Sequence, residues 1–144
     1  TVKAFSTRSS LEATTIIYVR VLDQNDLSPI FFPATYNETL PEDFALHAPV
    51  LKVTAEDADL GVNGEILFWI KEQTETFAIH PSMGVVTLTR RLKYAERSVH
   101  ELTIVAQDRA TIFRGGGQSS VAKVSLRVRQ VNLYGPEIYV YVLQ

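Results

Sequence analysis

The chain has 144 residues and a net charge of −2, from 14 Lys and Arg against 16 Asp and Glu of mixed placement. That length supports one ordinary domain with a full core and some overhang, not two complete domains. The balance lacks the basic stripe of a nucleic-acid or membrane-surface binder, and the absence of cysteine excludes a disulfide framework, a thiolate zinc site and a cysteine nucleophile.

The predicted elements, in chain order, are short strands over residues 14–22, 50–55, 66–71, 85–89, 101–106 and 121–131. Each is rich in Val, Ile, Leu, Thr or aromatic residues and is bounded by Pro, Gly, Asn, Asp or Ser. Alternation is clearest at Ile17, Val19, Val21 and at Val124, Leu126, Val128, with Tyr18, Arg20, Ser125 and Arg127 between them. Such a period of two buries one face and wets the other. No helical period of comparable length competes, so the reading is all-β, an antiparallel sandwich. The glycine-rich residues 114–120 form a flexible surface loop between the last two strands. No signal peptide opens the chain, and no apolar run approaches the roughly 20 residues that span a bilayer. It reads as a soluble piece cut from something larger.

An internal repeat organises the chain. Asp23, Asn25, Asp26 and Pro29 correspond at one common offset to Gln130, Asn132, Leu133 and Pro136, each set following an alternating strand. The offset is about one domain in size. Residues 1–22 are then the tail of a preceding repeat, 23–29 a linker, 30–129 one complete repeat, and 130–144 a second linker with the start of the next.

Four stretches gather oxygen donors near loops: Asp23-Gln24-Asn25-Asp26, Pro41-Glu42, the run from Asp57 to Gly64, and Ala106-Gln107-Asp108. Carboxylates and amide oxygens without histidine or thiol suit a hard cation of high coordination number, calcium before zinc or copper. Any one stretch also reads as a solvated turn. An EF-hand loop starting at Asp57 fails, because the positions that need Gly and Glu hold Val62 and Phe68.

Together, PED, DADLGVNG, FAIHPSMGVV, AQD and DQNDLSP resemble an extracellular cadherin repeat. The stretch TETFAIHPSMGVVTLTRRLKYAE further resembles the giant Fat and Fat-like cadherins near their amino-terminal end. The resemblance implies a seven-stranded Greek-key sandwich within an array of repeats, in the extracellular part of a single-pass plasma-membrane protein. Calcium ions would be held at each junction by the base of one repeat, the linker and the top of the next.

Carried over by resemblance, Asp23, Asp26 and the Gln24 carbonyl would serve the inner ions of the first junction. Asn25, Asp57, Asp59, Asp108 and the carbonyls of Leu27 and Asn63 would form the outermost site, with Asp59 bridging two ions. The acidic ligands of the preceding repeat would lie upstream of Thr1, so the inner sites are expected to be incomplete here. The second junction reads differently. Lys93 and Ala95 stand where the family has an acidic pair, and Gln130 and Leu133 where it has linker acids. Losing four carboxylates together fits a calcium-free, more bendable junction. Lys93 is expected either near Glu42, partly replacing the ion's charge, or pointing into water.

In the strand after Asn63-Gly64, the register buries Ile66, Phe68 and Ile70 and turns Leu67 and Trp69 to the other face. That pair is either a contact patch or is covered by a neighbouring sheet edge. Trp69 lies mid-domain, so adhesion by swapping an amino-terminal tryptophan is not expected. Asn37-Glu38-Thr39 is an N-glycosylation sequon in a predicted edge segment. The expected partners are other cadherin ectodomains, like or unlike, and neighbouring repeats of the same chain, with neither nucleic acid nor small-molecule substrate. A purely structural spacer is the alternative role. His47, His80 and His100 have no evident nucleophile partner and Gly115-Gly116-Gly117 lacks a P-loop's context, so no enzyme activity is expected.

Overall fold

A computed structural model of the chain describes residues 1–110 and 117–131. In chain order its strands are β1 (Val2–Phe5), β2 (Glu12–Thr15), β3 (Ile30–Phe31), β4 (Thr35–Pro41), β5 (Pro49–Lys52) and β6 (Ala55–Glu56). They continue with β7 (Ile66–Ile70), β8 (Phe77–Ile79), β9 (Val85–Leu88), β10 (Val99–Asp108) and β11 (Ser119–Arg129). A single 3-10 turn, Gly61–Asn63, is the helical element among the described residues.

The alternation in β11, paired with β10, dictates how the two layers meet. Leu102, Ile104 and Ala106 point to the same side as Ala122, Val124, Leu126 and Val128, and all are buried. Their sheet has the order β4-β11-β10-β7, with β10 antiparallel to both neighbours and β4 parallel to β11. The other layer, β5-β9-β8, is antiparallel and contributes Phe77, Val86 and Leu88 to the same core. Each such side chain removed from water contributes roughly 1.5–3 kcal/mol. The result is the expected seven-stranded sandwich, and the return of the late strand β11 to the early strand β4 is the long-range closure of a Greek key.

Two predicted strands differ in extent. Residues 50–55 form one apolar run but not one strand: β5 stops at Lys52, and β6 pairs with β3 beside the other layer. Between them Val53 is buried and donates its N–H to the Gly84 carbonyl at 2.9 Å, while the Thr54 N–H donates to the Tyr36 hydroxyl at 3.1 Å. The prediction over 14–22 overreaches. Strand β2 covers only Glu12–Thr15, paired with β1, and residues 16–22 are extended and exposed without a partner strand among the described residues. Alternating apolar residues record a face; they do not supply the layer that would cover it.

The turn between β8 and β9 depends on one glycine. Gly84 has φ +67°, and a Cβ there would lie 2.5 Å from the Val53 carbonyl oxygen. The position therefore requires both a left-handed backbone and the absence of a side chain.

Candidate metal centre

The sandwich gathers the linker and two loops at the end where β10 terminates. Asp108, the last residue of β10, is 1% exposed. Its Oδ2 accepts from Asn25 Nδ2 at 3.1 Å and from the Gln118 N–H at 2.6 Å. Gln118 Oε1 in turn accepts from the Ser28 hydroxyl at 2.9 Å. Gln118 thus belongs to the site, and Ser119 and Ser120 to β11, although the sequence suggests a flexible loop over 114–120. Residues 114–116 of that segment lie outside the described residues.

The run from Asp57 to Gly64 wraps the same end. The Asp59 N–H donates to Asp57 Oδ1 at 3.0 Å, a local turn that short acidic side chains favour. Asp59 Oδ2 accepts from the Leu27 N–H at 3.1 Å, fastening the linker. Asp23 Oδ2 accepts from the Leu60 N–H at 2.9 Å and from Asn63 Nδ2 at 3.0 Å. Gly64 is needed because a Cβ would run into the Asp59 carbonyl. Asp57, Asp59, Asp108, Asn25, Leu27 and Asn63 are thereby brought together with Asp23. The Gln24 carbonyl instead accepts from the Asp26 N–H at 3.0 Å, and Gln24 and Asp26 remain exposed.

Burial lifts the Asp59 carboxyl above its ordinary value, the Leu27 N–H opposes that, and the charges of Asp57, Asp23 and Asp26 add to the rise. Asn25 Oδ1 and Asp57 Oδ2 are buried acceptors with no hydrogen-bond partner. Among the described residues no three His, Asp or Glu side chains converge as a metal-holding group. The arrangement instead ties four carboxylates, Asp23, Asp57, Asp59 and Asp108, to N–H donors and leaves Asn25 Oδ1 and Asp57 Oδ2 over. Unpartnered hard oxygens within a cluster of carboxylates fit a calcium ion, which carbonyl, amide and carboxylate oxygens share as ligands.

The opposite end carries the positions where carboxylates are missing. Lys93 pairs with Glu96 at 2.6 Å within a turn, both side chains well exposed. The sequence leaves Lys93 either near Glu42 or in water: its side chain is exposed and pairs with Glu96, while Glu42 Oε1 accepts from the N–H of the adjacent Tyr94 at 3.0 Å and the Glu42 N–H donates to the Arg129 carbonyl at 2.9 Å. Ala95 and Gln130 are exposed, and Leu133 lies outside the described residues.

On the sides, Phe68 is buried and Ile66 and Ile70 pack against the core, as the register requires. Trp69 lies opposite Val105 and is 39% exposed; Leu67 lies opposite Gln107 and is half-buried. Asn37 is exposed on β4, an edge strand, opposite Ser125 of β11. The sequence did not single out Gln118. Its contact with Asp108 depends on the path of the intervening loop, for which spacing gives no signal.

A family model described as Cadherin domain matches residues 36–129. The Fat-like cadherin-related tumor suppressor homolog of Drosophila melanogaster is 50% identical over 132 residues, covering 91% of this chain and 3% of that protein. Protocadherin Fat 1 of Homo sapiens is 43% identical over 138 residues, covering 95% of this chain and 3% of that protein. The crystal structure of mouse Cadherin-23 EC22-24 aligns with a TM-score of 0.72 at 30% identity, covering 75% of this chain and 34% of that chain. The chain thus spans a small fraction of the length of the relatives it matches. The fold and the family match agree: the chain belongs to the cadherin domain family.

Proposed function

We propose that the chain is a calcium-binding repeat of a long cell-surface ectodomain that acts in cell-cell adhesion or recognition, planar cell polarity included. Asn25, Asp57, Asp59, Asp108 and the carbonyls of Leu27 and Asn63 hold the ion of the first junction, with Asp23, Asp26 and Gln24 serving inner ions alongside a preceding repeat. When bound, calcium supplies charge neutralisation and ties linker to loops, so the junction stiffens. The second junction, with Lys93, Ala95, Gln130 and Leu133 at ligand positions, holds none and bends. The partners are other cadherin ectodomains; relatives of known structure include a protocadherin gammaB7 EC3-6 cis-dimer. A glycan on Asn37 and a contact patch at Leu67 and Trp69 belong to the same reading.

The observation that carries it is the pair of buried, unpartnered oxygens Asn25 Oδ1 and Asp57 Oδ2 among the carboxylates. Calorimetric titration of this chain with calcium, beside the Asp57→Ala/Asp59→Ala double variant, tests it. Binding by the parent chain that the substitutions abolish supports the first-junction site and the ion-free second junction. Binding that survives them puts calcium elsewhere and overturns both assignments.

A further inference from the structure

The end of the sandwich where β11 stops is basic. Arg127 and Arg129 alternate outward from β11 while Val128 between them is buried. Arg127 lies across from Val99 of β10 on one side and Thr39 of β4 on the other. An open groove of about 650 Å³ runs here, lined by both arginines together with Thr39, Tyr94, Ser98 and Val99. Among the described residues no acidic side chain lines it. Among the described residues neither guanidinium has an ion pair, whereas Arg90, Lys93 and Arg109 each have one. Of the acids near in the chain, Glu42 accepts from the Tyr94 N–H and Glu96 pairs with Lys93, while Glu38 and Asp43 are exposed and line no part of the groove among the described residues.

Two guanidinium groups two residues apart on one strand lie roughly 7 Å apart at their origins and repel unless anions lie between them. Each is permanently charged and offers a planar fork of donors that matches a carboxylate. The exposed faces of Tyr94 and Val99, 41% and 40% exposed, give the groove an apolar floor. At the other end of the same molecule, Asp23, Asp57, Asp59 and Asp108 make an acidic pole. The internal repeat in the sequence places a unit of related design after Gln130; its linker carries Gln130 and Leu133 where this one has Asp23 and Asp26, so the acids it would bring to this groove are those of its loops.

We propose that Arg127 and Arg129 take the place of a metal ion at the second junction, docking the carboxylate-bearing loops of the repeat that follows in the native chain. The inference rests on the ion-free reading of that junction and deepens it. Calcium would be repelled by these guanidinium groups, and the cations needed to neutralise the next acidic pole come from the protein. Such a contact differs from a calcium clamp in one respect that an experiment reads directly. It is insensitive to chelators and weakened by salt, because exposed ion pairs are screened over the ~8–10 Å Debye length of ordinary buffers.

The test uses the native chain continued through the following repeat, with one spin label at a cysteine replacing exposed Lys52 on β5 and one in that repeat. Pulsed dipolar spectroscopy then gives the distance distribution across the junction. The expected result is a narrow distribution that chelator leaves alone and that broadens about two-fold between about 0.05 and about 0.5 M NaCl. Arg127→Glu/Arg129→Glu should broaden it as much at low salt, and Arg127→Lys/Arg129→Lys should fall between. Both arginines are exposed, and the lysine pair keeps the charge, so loss of folding is separable from loss of docking. Broadening on chelation, with the glutamate variant still narrow in calcium, overturns the ion-free reading. A distribution that ignores chelator, salt and charge reversal alike, or is already broad in the parent chain, overturns the docking proposal and leaves the ion-free junction standing. Retained geometry in a glutamate variant that has lost binding to a heparin column also overturns it and assigns the groove to sulfated polysaccharide.

Discussion

Asn25 Nδ2 donates to Asp108 Oδ2 at 3.1 Å, joining residues 83 positions apart in the chain. The bond holds the linker against the end of β10 with a neutral amide where a cation would otherwise sit. On the proposed function, ion binding would replace this tether with a stronger one, and the buried, unpartnered oxygens Asn25 Oδ1 and Asp57 Oδ2 would meet the ion. Asn25→Leu removes both functions. The expected outcome is at least a ten-fold loss in calcium affinity by calorimetry, with about 1–2 kcal/mol lost in calcium-free urea unfolding as Asp108 gives up a donor. Unchanged affinity would remove Asn25 from the ligand set.

Gly84→Ala asks for a left-handed backbone with a side chain pressed against the Val53 carbonyl. The conformational term alone is about 1–2 kcal/mol, and the close approach adds to it. Urea unfolding should show a loss of at least that size, with calcium affinity unchanged because the turn lies away from the acidic loops. Gly64→Ala, by contrast, should impair both stability and calcium binding.

The acid response should have two stages. Burial holds His100 below its ordinary value, with Arg97 adding to the shift, and its ring sits edge-on to Phe77 at 5.2 Å. The folded state therefore binds fewer protons than the unfolded chain, and stability falls as pH drops below about 6.5. Glu72 follows at lower pH. Burial acts to raise it, but donation from the Thr103 hydroxyl and N–H outweighs that, so its folded value lies below the ordinary one. The stability it contributes is present above about 4.5 and is lost as pH falls through its folded value. Thermal melts should show the first decline vanish in His100→Gln and the second weaken in Glu72→Gln.

Trp69 lies over Val105, which is 8% exposed, and near the same face Val121 is 52% exposed. Trp69→Ser uncovers Val105 and should cost about 1–3 kcal/mol in folding stability. If the face is used for contact, sedimentation of a multi-repeat chain should also show weaker association in Trp69→Ser than in a core variant of equal instability, such as Leu88→Ala. Equal association in the two removes the patch from the adhesive surface.

Lys93→Ala breaks an exposed pair with Glu96. Such pairs contribute about 0–1 kcal/mol. Unfolding free energies should differ by less than about 0.5 kcal/mol at low salt and converge at high salt. A larger effect would mean that Lys93 serves a partner other than Glu96.

The sandwich was legible where a strand has one buried and one wet face. β11 alternates over most of its length, and β7 sorts Ile66, Phe68 and Ile70 from Leu67 and Trp69 as periodicity requires, whereas β10 is buried on both faces from Leu102 to Ala106. The signal failed where the covering changes along the chain. β5 and β6 read as one run because Val53 and Ala55 stay apolar through a change of sheet. Residues 16–22 read as a strand because alternation survives even where no partner strand lies among the described residues. In the candidate site, the acids were visible because clustered Asp and Asn in loops have few other uses. Their donors were not: Gln118 reaches Asp108 by a backbone N–H, which every residue but proline carries. The pairing of Lys93 with Glu96 was not legible for a related reason, since it is defined by a turn three residues long.

The parallel pairing of β4 with β11 has a further consequence. The first strand of the main sheet and the last run in the same direction, so the chain enters the sandwich at the acidic end and leaves at the basic one. Along β11 this displacement is about 3.3 Å per residue over 11 residues. Head-to-tail copies of such a unit add lengthwise and never double back, so reach grows in proportion to copy number. Each added copy is then a fixed increment of distance between two surfaces, and the junctions alone decide how much of that distance survives as a straight line.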